Sequence, residues 1–145
     1  MSKRAILELI LSQLETITTA NGYLTNIGSN ATYARDTNQE WDTEGVTFRD
    51  FGCNISENNI YHVYDLDLEI EAIAFGDDLI TIGCDLEEDL ISLIARNLNW
   101  AGDALKTEFH PDSSIVKDFQ TAGKSAVSVT LNLSVQFRLP KWSVG

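Results

Sequence analysis

Four places in this 145-residue sequence carry residues that chemistry uses. The first is Ala122-Gly123-Lys124-Ser125, which outlines the end of a phosphate-binding loop. That loop needs a Gly five positions before its second Gly and a helix after it, so that backbone N–H groups surround the phosphates. Asp118 stands at that position, and a β pattern follows, so a hairpin turn at Gly123 is expected instead. The second place is the histidines, His62 and His110. They are far apart in sequence, and neither comes with a G-x-S-x-G or Cys-centred motif that would supply a nucleophile. The third is the acidic pair Asp77-Asp78 with the run Asp85 to Asp89. It lacks the residue order and closing Glu of a calcium loop, and Asp77-Asp78 reads as a turn between strand and helix. The fourth is Cys53 and Cys84, outside any C-x-x-C or Cys/His cluster and expected as reduced, largely buried thiols. A reducing compartment fits that usage. The expectation is a non-enzymatic chain with no catalytic residue, no cofactor and no metal.

Charge is the stronger signal. The formal net charge is −12, which argues against a nucleic-acid binder, since binding phosphates takes Lys and Arg. The distribution is uneven. From Asp50 to Ala95 there is no Lys or Arg, while acids recur throughout. A solvated face and a surface that repels polyanions both fit this stretch.

The elements that must position these residues follow from periodicity. Residues 2–20 read as an amphipathic helix capped by Ser2, with Ile6, Leu9, Ile10, Leu14 and Ile17 on its buried face. Asn21-Gly22 supplies a left-handed stop. Tyr23 to Arg35 reads as a first strand with a bulge or close approach at Gly28. Asp36 to Gly45 is a polar loop holding Trp41, and Val46 to Ser56 is a second strand. In Ile60 to Phe75, Asp65, Asp67, Glu69 and Glu71 alternate with Leu66, Leu68, Ile70 and Ala72. Period 2 puts the carboxylates on one face and the apolar side chains on the other. A second helix runs over about 80–98, with Ile82, Leu86, Leu90, Leu93, Ile94 and Asn97 on one face. Asp85 with Glu88 offers a capping box for a later start. Leu105 to Phe109, Ser114 to Ala122 and the alternating Ser125 to Leu139 read as strands. A hydrophobic share of 43% places the chain among globular proteins, and its length fits one domain over residues 1–145. The pattern predicts an α+β fold in the order α-β-β-β-α-β-β-β, with both helices on the apolar face of a mostly antiparallel sheet. No apolar stretch is long enough to span a bilayer.

Several of these pieces together resemble a known family. They are Asn21-Gly22-Tyr23 after a short N-terminal helix, Asn26-Ile27-Gly28, and Tyr33-Ala34-Arg35 before a polar loop. Ala74-Phe75-Gly76-Asp77-Asp78 leads into a helix, and Phe137-Arg138 closes the last strand. Nearly the whole chain, in length and element order, is similar to the tail terminator proteins of long-tailed bacteriophages. These are also described as minor tail or tail-completion proteins.

That resemblance implies a virion protein assembled in the host cytoplasm, with no membrane association. It implies a ring, typically a hexamer, at the head-proximal end of the tail tube. The partners would be further copies of the chain, the tail tube protein and a head-completion or connector protein. DNA would pass through the channel without specific binding. Under that reading the stripe Asp65, Asp67, Glu69 and Glu71, or part of the Asp77 to Asp89 cluster, is the expected channel lining. The plain alternative is outer solvent. Trp41, Ile115, Val116 and Phe119 have no assigned core and are the expected interface residues, in loops that order on docking. A head-completion or neck connector protein and a small α+β ligand-binding domain are the alternative functions.

Overall fold

The computed structural model describes residues 3–34, 43–57, 60–97, 100, 106–121 and 123–140. Ser2 and Trp41 lie outside the described residues. The first helix, α1, spans Lys3–Leu14 and buries Ile6, Ile10 and Leu14. It is shorter than the 2–20 pattern predicts. The β-branched residues Thr16, Ile17, Thr18 and Thr19 lose side-chain freedom in a helix. The Thr16 hydroxyl also donates to the Gln13 carbonyl, 2.6 Å away. Ile17 is nevertheless fully buried, so the apolar spacing outlasts the helix that explained it. A 3-10 turn at Thr19–Asn21 follows, closed by Gly22 at φ 88°, as the Asn-Gly pair predicts.

The segment read as a first strand is mostly something else. A second 3-10 turn occupies Ile27–Asn30, and only Ala31–Tyr33 forms a strand, β1. Gly28 is why the chain stays irregular. Its N–H donates to the Ile17 carbonyl at 2.9 Å. A Cβ there would lie 2.5 Å from the Leu14 carbonyl oxygen and 2.7 Å from the Ile17 nitrogen. The expected close approach is therefore present, against the end of α1.

The rest of the chain supplies β2 (Gly45–Glu57), β3 (Tyr61–Phe75), α2 (Leu79–Arg96), β4 (Lys106–Thr121) and β5 (Lys124–Pro140). The segments expected as two strands at 105–109 and 114–122 are the halves of β4, separated by a register shift between Phe109 and Ser114. His110, expected in a loop, sits in this strand. The sheet order is β1-β2-β3-β5-β4. β1 runs parallel to β2, and every other pairing is antiparallel. The fold is α+β, as expected. Gly123, at φ 74°, turns β4 into β5 where Thr121 pairs with Lys124.

α2 starts at the earlier of the two candidate points. Asp78 is its N-cap, accepting from the Thr81 N–H at 3.2 Å and the Thr81 hydroxyl at 2.8 Å. These bonds hold the Asp78 carboxyl below its ordinary pKa. Both helices cover one sheet face. Ile6, Ile10 and Leu14 of α1 and Leu86, Leu90, Leu93 and Ile94 of α2 share one core. They meet Leu66, Leu68 and Ile70 of β3 and Val129, Leu131, Leu133 and Val135 of β5. Each such side chain stabilises the fold by about 1.5–3 kcal/mol. Trp100 joins them, fully buried, and its indole N–H donates to the Thr107 hydroxyl at 2.9 Å.

Candidate functional site

The face of the sheet away from the helices is polar, and β3 sets it. Asp65, Asp67, Glu69 and Glu71 lie on this face, each half-buried among its neighbours. Cross-strand partners share a face, so the register extends the row to both sides. Across β2 the partners are Asn54, Gly52, Arg49 and Thr47. Across β5 they are Gln136, Ser134, Asn132 and Thr130. The structure therefore brings all four predicted carboxylates together in one line among amides and hydroxyls.

The line is not purely acidic. Gln136 donates its amide N–H to Asp65 at 3.1 Å. His110 Nε2 lies 3.3 Å from an Asp67 oxygen. Arg49 pairs across from Glu69. Burial pushes the Glu69 carboxyl above its ordinary pKa; Arg49 pulls it back in part and Glu71 adds to the rise. Further along, Arg138 stacks over the Tyr61 ring at 4.3 Å. The polar stretch ends at Glu71, because Ile73 and Ala126 on the same face are fully buried.

A raised carboxyl pKa has a defined consequence. Glu69 favours folding while protonated in the folded state, and that contribution is lost as pH rises through its folded value. At neutral pH the ionised group therefore costs stability. Glu69→Gln should raise the thermal midpoint at pH 7, with the gain shrinking as the buffer is acidified toward the carboxylate range. A melting series across pH checks this, and an unchanged or lower midpoint at pH 7 counts against it.

The second acidic candidate does not form a surface with the first. Asp78 caps α2. Glu87 accepts from the Ser114 hydroxyl at 2.6 Å, which ties α2 to β4. Asp89 is 2% exposed, and that corrects its reading as part of a solvated run. Its carboxylate accepts from the Leu24 N–H at 2.9 Å, the Thr25 N–H at 2.8 Å and the Thr25 hydroxyl at 2.6 Å. Sequence reasoning missed this tie, whose only signal is the placing of Asp89 one step from Leu90 and four from Leu93 on the buried face.

Of the expected interface residues, the three that are described lie on a strand. Ile115 and Val116 are about half exposed and Phe119 is half-buried, all on β4 at the sheet's edge. Val116 also lines a cleft of about 280 Å³ with Leu79, Ile80, Gly83, Cys84, Glu87 and Asp118. Cys84 is exposed there, against expectation, because it lies at the rim of the buried α2 stripe. Cys53 is half-buried, and burial pushes its thiol pKa up.

Among the described residues, no group of three or more His, Cys, Asp or Glu is placed to hold a metal ion. No described helix is long and apolar enough to cross a membrane. A scan against protein-family models matches no family, and a search of curated proteins finds no match.

Proposed function

We propose that the chain is a non-enzymatic virion subunit. Copies form a ring at the head-proximal end of a phage tail tube, stop the tube's growth, and present the surface that joins the head. The observation that carries this reading is the row Asp65, Asp67, Glu69 and Glu71 on the sheet face opposite the two helices, half-buried among the described residues. A channel that passes DNA must not hold it. A row of carboxylates repels phosphates, and Arg49 across from Glu69 offsets only part of that charge. In this reading the DNA, the tube protein and a head connector are partners, and no cofactor takes part.

Electron microscopy of the purified chain with tail tubes tests the assembly: rings should cap one end of each tube. Replacing Asp65, Asp67, Glu69 and Glu71 together with Lys tests the channel. DNA ejection from particles carrying that variant should slow by about tenfold or more in low salt and recover as salt rises. Ejection rates equal to the unmodified particle's, or a ring with all four carboxylates on its outer rim, would discard the channel assignment.

A further inference from the structure

The cleft between α2 and β4 is an apolar groove with an acidic rim. Gly83 lets the helix lie close on the sheet there: a Cβ on it would meet Val127 at 3.3 Å and Val116 at 3.5 Å. Leu79, Ile80, Cys84 and Val116 line the groove, and Glu87 and Asp118 are the charged residues of its lining. Ile80 is 81% and Val116 52% exposed, and Asp118 is exposed beside them. Such a groove takes a large apolar side chain, and its two carboxylates select a cation next to that side chain.

Most described cations already have a partner on their own chain. Lys3 meets Asp50 at 2.7 Å, Arg4 meets Glu8 at 2.9 Å and Lys106 meets Glu108 at 3.1 Å. Arg96, Lys124 and Arg138 lie over the rings of Tyr23, Phe75 and Tyr61. Lys141-Trp142-Ser143-Val144-Gly145, outside the described residues, sets a cation beside an indole with no acid among the five.

These residues cannot fill the groove of their own chain. Val116 pairs with Val129 and Asp118 with Val127, so the groove lies near the start of β5. From Val129 to Pro140 the strand runs about 36 Å, at about 3.3 Å per residue. Five further residues reach at most about 18 Å.

We infer that residues 141–145 of one copy dock in the α2–β4 groove of the next, with Trp142 against Ile80 and Val116 and Lys141 against Glu87 and Asp118. The groove and the docking segment belong to opposite ends of β5, so each copy gives a segment at one end and receives one at the other. The contact is heterologous, as ring closure requires. The joint rests on the self-assembly proposed above, to which it adds the contact.

The test uses the full chain, a Trp142→Ala variant and a groove variant, Ile80→Lys with Val116→Lys. Far-UV circular dichroism with melting confirms that each is folded. Sedimentation velocity over a concentration series is paired with electron microscopy of the same samples on tail tubes. Each variant alone should associate about tenfold or more weakly. Mixed in equal amounts, the two should give dimers and nothing larger, because each keeps the half that the other lacks. Asp118→Lys should weaken association severalfold, and combining it with Lys141→Glu should restore it. Cys84 supplies a covalent readout. In a Val144→Cys chain, copper–phenanthroline takes two electrons from the thiols at 84 and 144, two protons leave, and a disulfide links successive copies. Denaturing electrophoresis should show chains longer than two, lost on Cys84→Ser. Rings that form equally well from both variants, or rings that give no such cross-link, overturn the joint and leave the ring reading standing. An unmodified chain that stays monomeric, with and without tubes, overturns both.

Discussion

Asp89→Ala should cost about 3 kcal/mol of folding stability and lower the thermal midpoint by about 10 °C. The carboxylate satisfies three donors from Leu24 and Thr25. Removing it leaves two backbone N–H groups and a hydroxyl without their acceptor in a nearly closed site. An unsatisfied buried donor costs about 1–3 kcal/mol, and local relaxation with water entry offsets part of the sum. The contact spans more than sixty residues of sequence and holds the segment before β1 against α2. Its loss therefore loosens the junction of two elements. Asp89→Asn keeps one acceptor and should fall between the two. Glu88→Ala is the control: its side chain is exposed, and surface changes of that kind stay within about 0.5 kcal/mol. Chemical denaturation of the three variants settles the point, and equal midpoints for Asp89→Ala and Glu88→Ala would refute the buried tie.

Gly28→Ala should cost about 2–4 kcal/mol, a large effect for one methyl group. The added carbon would meet the Leu14 and Glu15 carbonyl oxygens at 2.5 and 2.8 Å and the Ile17 nitrogen at 2.7 Å. All three are backbone atoms, so no side chain can turn aside, and α1 must move from the chain after it. Overpacking of a fixed site costs about 1–3 kcal/mol and occasionally more. Gly52 supplies the comparison, since nothing lies within 4 Å of a Cβ built there. Gly52→Ala should be nearly silent. A Gly28→Ala midpoint within about two degrees of the unmodified chain would show that the junction is looser than its distances imply.

Much of the fold was legible because its signals are local. The alternation in β3 and β5 depends only on the pleat, so period 2 placed Asp65, Asp67, Glu69 and Glu71 on one face before any partner strand was known. The α2 stripe and the turns at Gly22 and Gly123 are local in the same way. The first strand was misread because β-forming residues between Tyr23 and Arg35 suggested regular pairing. The close approach at Gly28 and the 3-10 turn depend on α1, a separate element. The two late strands merged because the ladder with β5 continues past a register shift that breaks the pattern at Pro111.

Local pattern alone establishes the α+β class, the polar face of β3 and its four carboxylates. Each is written in a repeat of two or about four residues, and the backbone converts that repeat into a direction. Long-range packing sets which acids of the 85–89 run meet solvent and which is buried. Glu88 and Asp89 are adjacent carboxylates, and their difference is the arrival of Leu24 and Thr25 from a distant part of the chain. Among the described residues, long-range packing also places Ile115 and Val116 on the outermost strand, β4. An edge is defined by the absence of a neighbouring strand, which local periodicity cannot encode.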